Sequence, residues 1–154
     1  MTTMPQLTVP NDATIRRTLE DAARREPDRV FVVFEGKSIT VAEMDRLANR
    51  FANGLAKLGL AKGDRVAIML PNHTDHFIAF LACAKLGVVQ VPVNANLRGA
   101  SLEYLVEHSE PRAAIADTIY AEALLPALAR TRIECAIWRR DMAQAAGAKN
   151  LAFE

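Results

Sequence analysis

Strand-like and helix-like segments alternate along almost the whole chain, and this alternation constrains the fold more than any other feature. Runs rich in β-branched residues favour strands, and stretches with apolar residues at helical spacing favour helices. The predicted strands are 30–34, 38–40, 65–70, 88–93, 112–116 and 133–138, of which 133–138 is the last. The predicted helices are 14–25, 41–58, 73–86, 100–109 and 119–129. The pattern indicates an α/β fold with a mainly parallel sheet flanked by helices.

The two longest predicted helices carry boundary signals. Thr40 and Glu43 form the T-x-x-E pattern of a capping box, and Gly59 stands where that helix should end. Asn72 follows Pro71 and is the predicted N-cap of the helix at 73–86. The residues of this second helix that should face inward are Phe77, Phe80, Leu81 and Ala84, with Ile78, Ala82 and Leu86 widening the stripe. We therefore expect the helix to be buried on much of its surface.

The chain length of 154 residues suits one domain, and a hydrophobic content of 51% is enough to form a core. We divide the chain into a loose segment at 1–12, an α/β subdomain at 13–140 and a tail at 141–154. The tail also looks loose or peripheral. No linker, repeat or low-complexity segment interrupts the α/β part.

Charge and hydropathy exclude several kinds of partner. The net charge of +1 does not suit a nucleic-acid-binding surface. The most apolar run, 77–93, is interrupted by polar residues and glycine, whereas a membrane span needs about 20 clean residues. The first dozen residues lack the pattern of a signal peptide. Cys83 and Cys135 fit buried thiols in a reducing compartment. We expect a soluble, cytoplasmic protein.

The sequence lacks the common motifs of nucleotide-binding loops and hydrolases. A phosphate-binding loop needs closely spaced glycines, yet no two of the seven glycines lie closer than four positions. Neither GxGxxG nor GxxxxGK occurs, and GxSxG and HExxH are also absent. A classical nucleotide loop within these 154 residues is therefore not expected.

A parallel α/β sheet usually binds its ligand at the carboxyl ends of its strands. Those ends lie near Pro71 and Asn72, near 94–96 and at Asp117. We interpret Asp117 either as a ligand-orienting group or as the cap of the next helix, the second being the more usual role.

Three histidines are further candidates. His73 and His76 are three positions apart and could share a helix face, but two histidines alone do not make a tetrahedral metal site. A polar helix start is the favoured interpretation. His108 lies at the end of a short helix, where a cation is mildly favoured, and a structural role is preferred. An unrelated α/β enzyme that uses His73, His76 or Asp117 remains a weaker alternative.

Several segments in order resemble the N-terminal part of the adenylate-forming acyl-CoA synthetases, a family of AMP-binding ligases. The T-x-x-E helix start is followed by L-x-x-x-G-L-x-K-G-D-R-V-A-I, a P-N stop, A-x-x-K-L-G-x-V and V-P-V-N. A late S-x-P strand ending in Asp completes the series. The resemblance covers about residues 14–140, and the succession of motifs carries it. It implies the N-terminal subdomain of an acyl-CoA synthetase-like fold.

The resemblance implies a two-step reaction in the whole enzyme. A carboxylic acid reacts with ATP, assisted by Mg²⁺, to give an acyl-adenylate and pyrophosphate, and the thiol of CoA then takes the acyl group. By the same resemblance, Asn94 and Asn96 are placed to face the CoA channel, with Arg98 near the CoA phosphates. The alternative for all three is a loop of turn-forming residues.

Other features of that family are missing from the sequence. The Ser/Thr/Gly-rich phosphate loop ending in Pro-Lys, the adenine motif, the ribose-binding Asp and the catalytic Lys should all come after residue 154. The lysines at 37, 62, 85 and 149 lack the context of the catalytic one. We expect a fragment of a ligase that is inactive alone and binds neither ATP nor CoA tightly.

Two consequences concern partners. The remainder of the same polypeptide should pack against this region, so a free chain should expose apolar surface and sheet edges and self-associate, for example as a homo-oligomer. The alternative function is a stand-alone, non-catalytic α/β module that binds a partner protein, an acyl group or CoA.

Overall fold

The computed structural model describes residues 13–139 and 149–152. The helices are α1 (Ile15–Arg25), α2 (Val41–Lys57), α3 (Thr74–Leu86), α4 (Gly99–Ser109) and α5 (Ala121–Leu128). The strands are β1 (Val30–Phe34), β2 (Lys37–Thr40), β3 (Arg65–Met69), β4 (Val89–Pro92), β5 (Ala113–Asp117), β6 (Cys135–Arg139) and β7 (Lys149–Ala152). A 3₁₀ turn, Thr118–Tyr120, leads from β5 into α5.

The main sheet has the strand order β4-β3-β5-β6-β7, and all of its pairs are parallel. This confirms the predicted α/β class with a mainly parallel sheet flanked by helices. The chain leaves β3 toward β4 on one side and later returns to β5 on the other side of β3. The carboxyl ends of β3 and β5 therefore form a topological switch point, where sheets of this kind bind ligands.

The prediction that 133–138 is the last strand is wrong. β7 lies beyond it and adds to the open edge of β6, with Cys135 paired to Lys149 and Trp138 to Ala152. The segment around β7 has little β-branched character, so its sequence alone does not favour a strand. The strand forms because the backbone N–H and C=O groups at the open edge of β6 pair with it.

Alternating side chains of the sheet build two apolar layers. Val66 and Ile68 of β3 face the layer covered by α2 and α3, while Ala67 and Met69 face the layer covered by α4 and α5. All four of these side chains are buried. Because both faces of the central strands are covered, those strands are apolar between their charged ends, as a doubly covered parallel sheet requires.

The boundary signals of α2 are confirmed. The Thr40 hydroxyl accepts a hydrogen bond from the Glu43 backbone N–H at 3.2 Å, and the Glu43 carboxylate accepts one from the Thr40 N–H at 3.4 Å. Gly59 follows the helix with φ at +85°, a conformation that glycine adopts without the steric cost that a Cβ would bring.

Lys85 joins three helices on one side of the sheet. Its side chain is only 5% exposed, and Nζ lies 2.8 Å from Asp45 Oδ1 of α2 and 3.3 Å from Glu20 Oε1 of α1. Beside this ion-pair cluster, Leu19 of α1 packs with Met44 of α2 and with apolar residues of α3. The cluster therefore holds α1 against the body of the domain.

The prediction that α3 is buried on much of its surface is confirmed, but the predicted inward position of Phe77 is wrong. Phe77 is the exposed residue of the helix, and the remaining residues are buried or half-buried. The apolar face of α3 is wider than the part of it that packs against the sheet. Phe77 lies where the β1–β2 hairpin meets α3, and its ring contacts Phe31 edge-on with 6.0 Å between ring centroids.

Candidate functional site at the carboxyl ends of the strands

An ion-pair network occupies the switch point. Asp117 ends β5, Arg139 ends β6, and Asp75 lies in the first turn of α3, which follows β3. Asp117 and Arg139 are directly opposite each other in the parallel register of β5 and β6. The strand order therefore brings together three charged residues that are far apart in the sequence.

Arg139 bridges the two carboxylates. Its Nε donates to Asp75 Oδ2 at 2.5 Å, and its Nη1 donates to Asp117 Oδ2 at 2.5 Å. Asp117 is fully buried, and the guanidinium side chain is 13% exposed. Burial lowers the pKa of Arg139, but the hydrogen bonds to Asp117 and Asp75 outweigh that effect and raise the pKa above its ordinary value.

Asp117 has the capping role that the sequence favoured. Its Oδ1 accepts a hydrogen bond from the Ile119 backbone N–H at 3.0 Å and so caps the 3₁₀ turn before α5. Its other carboxylate oxygen is held by Arg139. With both oxygens bonded inside the fold, Asp117 is a structural group that fixes the end of β5.

The prediction that Asn72 caps α3 is wrong, since His73 is the N-cap. His73 has an extended backbone, and its Nδ1 accepts a hydrogen bond from the Asp75 N–H at 3.2 Å. Asn72 is exposed one position earlier. The ring of His73 packs edge-on against Phe34 of β1, with 4.9 Å between centroids, and this contact holds the imidazole over the helix start.

This assignment predicts different costs for two neighbouring alanine substitutions. His73→Ala should lower the free energy of unfolding by about 1 kcal/mol, because a backbone N–H of α3 loses its acceptor. Asn72→Ala should change it by less than about 0.5 kcal/mol, as expected for an exposed residue. Urea unfolding of both variants at neutral pH measures the difference. An equal cost for both substitutions would contradict the assignment.

An apolar groove of about 500 Å³ lies beside the network. It runs between the β1–β2 hairpin and the first half of α3, and it is lined by Val32, Phe34, Asn72, His73, Thr74, His76, Phe77 and Phe80. Both histidines therefore share one surface, as their spacing suggested. Within residues 13–139 and 149–152, no group of three His, Cys, Asp or Glu side chains is arranged to hold a metal ion.

The loop after β4 contains the three residues that the resemblance associated with CoA. Asn94 Oδ1 accepts a hydrogen bond from the Asn96 backbone N–H at 2.9 Å. The Arg98 guanidinium donates to the carbonyl oxygens of Ala95 and Leu97 at 2.6 and 2.7 Å. All three side chains are exposed, and these hydrogen bonds stabilise the turn of the loop itself.

Two further residues singled out in the sequence, Cys83 and His108, lie in surroundings that suit a structural role. Burial raises the pKa of the Cys83 thiol to about 12, so the thiol is protonated at neutral pH and unsuited to act as a nucleophile. The ring of His108 stacks on Tyr104 one helical turn away, with 5.4 Å between centroids.

Every helix in the described part of the chain is too short or too polar to cross a membrane.

Comparison with known proteins identifies the class of this fold. Residues 19–152 match the family of AMP-binding enzymes. The long-chain-fatty-acid–CoA ligase FadD13 of Mycobacterium tuberculosis is 40% identical over 93 residues, covering 55% of this chain and 18% of the relative. The medium-chain fatty-acid–CoA ligase of Escherichia coli is 31% identical over 112 residues, covering 72% of this chain and 20% of the relative.

Solved structures agree with this match. The benzoate CoA ligase of Burkholderia xenovorans superposes with a TM-score of 0.76 at 25% identity, covering 83% of this chain and 26% of that structure. The N-terminal subdomain of Klebsiella oxytoca NpsA superposes with a TM-score of 0.64 at 30% identity, covering 67% of this chain and 27% of that structure.

The chain therefore belongs to the AMP-binding enzyme family, and it corresponds to the N-terminal portion of its acyl-CoA ligase members. It spans about a fifth of the length of the two curated relatives described above.

Proposed function

We propose that this chain is the N-terminal α/β part of an ATP-dependent carboxylate–CoA ligase. The reaction of that ligase forms an acyl-adenylate from a carboxylic acid and ATP with Mg²⁺, and then transfers the acyl group to CoA. The observation that carries the proposal is the family match over residues 19–152 in a chain that spans about a fifth of its ligase relatives. Its similarity to two fatty-acid–CoA ligases and to a benzoate CoA ligase favours a fatty or aromatic acid as substrate.

In this proposal the chain contributes a scaffold and the residues that act on ATP lie elsewhere in the ligase. The sequence has no glycine-rich phosphate loop. The carboxyl end of the sheet, where a nucleotide would be expected, is held by the Asp75–Arg139–Asp117 network, in which each charged group already has a partner. Neither ATP nor CoA should therefore bind this chain tightly by itself.

The loop at 94–98 is the part of this chain that we assign to the border of the CoA channel. Asn94 and Asn96 shape the turn, and Arg98 supplies an exposed cation beside it. An exposed guanidinium suits the phosphates of CoA, since planar donors bind phosphate oxygens in pairs.

Pyrophosphate exchange tests the proposal. The 154-residue chain is incubated with ATP, Mg²⁺, labelled pyrophosphate and a panel of fatty and aromatic acids, with the E. coli medium-chain ligase as the positive control. We expect no label in ATP above the enzyme-free background, because the groups that stabilise the developing charge on the phosphates are outside this chain. Sustained acid-dependent exchange by this chain would contradict the proposal.

A further inference from the structure

The imidazole of His73 faces two alternative partners at the start of α3. Its Nδ1 lies 3.2 Å from the backbone nitrogen of Asp75 and 2.9 Å from Oδ2 of the Asp75 carboxylate. The hydroxyl of Thr74 is a third polar neighbour, 3.3 Å from the same ring nitrogen. A ring nitrogen with a free lone pair accepts a hydrogen bond, whereas one that carries a proton donates. Nδ1 can therefore bond to the backbone N–H or to the carboxylate, but not to both.

The protonation state of the ring decides between these partners. When Nδ1 is unprotonated, it accepts from the Asp75 N–H and caps α3. In the imidazolium form both ring nitrogens carry protons, so Nδ1 donates to Asp75 Oδ2 and the backbone N–H loses its acceptor. Protonation of His73 thus exchanges a helix cap for an ion pair.

The charges beside His73 favour the ion pair once a proton is bound. Asp75 Oδ2 also accepts from Arg139 Nε, and Arg139 Nη1 donates to Asp117. With a neutral His73 the cluster holds two carboxylates and one guanidinium, so a proton on His73 makes it electrically neutral. Asp117 is fully buried, and the other three side chains are at most 25% exposed. Charges buried to this degree are only weakly screened by salt and water.

The remaining surroundings of His73 are apolar or neutral. The hairpin presents Val32 and Phe34 to the groove beside it, and Phe34 contacts the imidazole edge-on. Within the described part of the chain, His76 is the only other titratable side chain that lines this groove. The charged groups that face His73 from other elements are therefore those of Asp117 on β5 and Arg139 on β6, which reach it through Asp75.

We propose that His73 is a pH-dependent switch at the start of α3, which caps the helix when it is neutral and binds the Asp75 carboxylate when it is protonated. The first turn of α3 borders both the groove and the carboxyl edge of the sheet. That turn is then held in one of two ways according to pH. Histidine side chains ordinarily change charge between about pH 5 and pH 8, and this is the interval in which the exchange is measured.

Nuclear magnetic resonance of the ¹⁵N-labelled 154-residue chain tests the exchange in the unmodified protein. At about pH 8, the ring ¹⁵N shifts should show that His73 has an unprotonated Nδ1 and a protonated Nε2. As the pH falls to about 5, the Asp75 amide proton should move upfield with the same midpoint as the His73 ring. Its protection against hydrogen exchange, corrected for the intrinsic pH dependence, should fall about fivefold, as is typical for a lost helix cap.

Three results in the unmodified chain would overturn the proposal. A neutral His73 with its proton on Nδ1 would donate to the carboxylate at every pH, so no exchange would occur. An Asp75 amide that stays fixed while the His73 ring titrates would show that the two are not coupled. A His73 ring that keeps one charge across the whole interval would exclude a switch.

Two asparagine variants separate a switch from a purely structural cap. Asparagine is a good N-cap and does not titrate, so His73→Asn should keep the Asp75 N–H bonded and abolish its pH-dependent shift. His76→Asn is the matched control, because it removes the other histidine of the groove, and it should leave that shift unchanged. Persistence of the shift in His73→Asn, or its loss in His76→Asn, would assign the titration to another group and refute the role of His73.

Discussion

Replacing Arg139 with alanine should lower the free energy of unfolding by about 3–5 kcal/mol. The substitution leaves Asp117 fully buried with one oxygen unpaired, and it also removes the contact with Asp75 at the start of α3. A buried carboxylate without its cation is among the costliest single defects in a fold. The network therefore contributes to stability mainly through the penalty that follows when one member is lost.

Urea unfolding followed by the fluorescence of Trp138, the single tryptophan, measures this effect. Arg132→Ala is the matched control, because Arg132 is exposed, and it should change stability by less than about 0.5 kcal/mol. Adding Asp117→Asn to Arg139→Ala should recover part of the loss, since the buried charge is then gone. A loss below about 1 kcal/mol for Arg139→Ala would show that Asp117 does not depend on the guanidinium.

Lys85→Met should lower the free energy of unfolding by about 2–3 kcal/mol, the second largest effect that we expect. The variant keeps most of the apolar stem but leaves Asp45 without its cation and removes one of the two cations that pair with Glu20, the other being Arg16. Both carboxylates retain some access to water, so the cost is smaller than for a fully buried pair. Lys57→Met, at an exposed position of α2, is the matched control and should be nearly neutral.

The same cluster gives a pH dependence with a definite sign. Burial raises the pKa of Glu20, but hydrogen bonds from Arg16 and Lys85 outweigh it and hold the pKa below its ordinary value of 4.5. Glu20 therefore stabilises the fold above pH 4.5, and this contribution is lost as the pH falls through the lower folded-state pKa. The decrease in the free energy of unfolding on acidification should be smaller in Lys85→Met than in the unmodified chain. An equal loss in both would contradict a role for Lys85.

The elements that sequence alone predicted are those with local signals. The Thr40–Glu43 capping box is read from two residues three positions apart, and the structure has both of its hydrogen bonds. Strands β3 and β5 are apolar apart from Arg65 at the start of β3 and Asp117 at the end of β5, as a sheet covered on both faces requires. These features depend on neighbours in the sequence, so no knowledge of the fold was needed.

The errors occur where tertiary contacts decide. Asn72 and His73 can both accept a hydrogen bond at a helix start, and the packing of His73 against Phe34 selects the histidine. β7 forms because β6 offers an open edge, which a propensity scale does not record. Helical spacing predicted that Phe77 faces inward, but Phe77 is exposed. The spacing gives the apolar face of a helix and does not show how much of that face the rest of the fold covers.

The candidate site was foreseen only in part. The carboxyl ends of the strands, near Pro71 and Asn72, near 94–96 and at Asp117, were predicted as the ligand-binding edge of the sheet, and capping was the favoured of two roles for Asp117. The role of Arg139 was missed, because its pairing with Asp117 follows from the parallel register of β5 and β6 across 22 positions. The sequence signal was an arginine directly after an apolar strand, and it becomes informative only when the strand order is known.

We propose that this chain is the N-terminal part of a carboxylate–CoA ligase whose phosphate-binding residues follow it. The most direct measurement is the nucleotide sequence of the gene beyond codon 154. The claim predicts an open reading frame that soon encodes a Ser/Thr/Gly-rich run ending in Pro-Lys. A stop codon directly after Glu154 would contradict it and would favour a stand-alone α/β binding module.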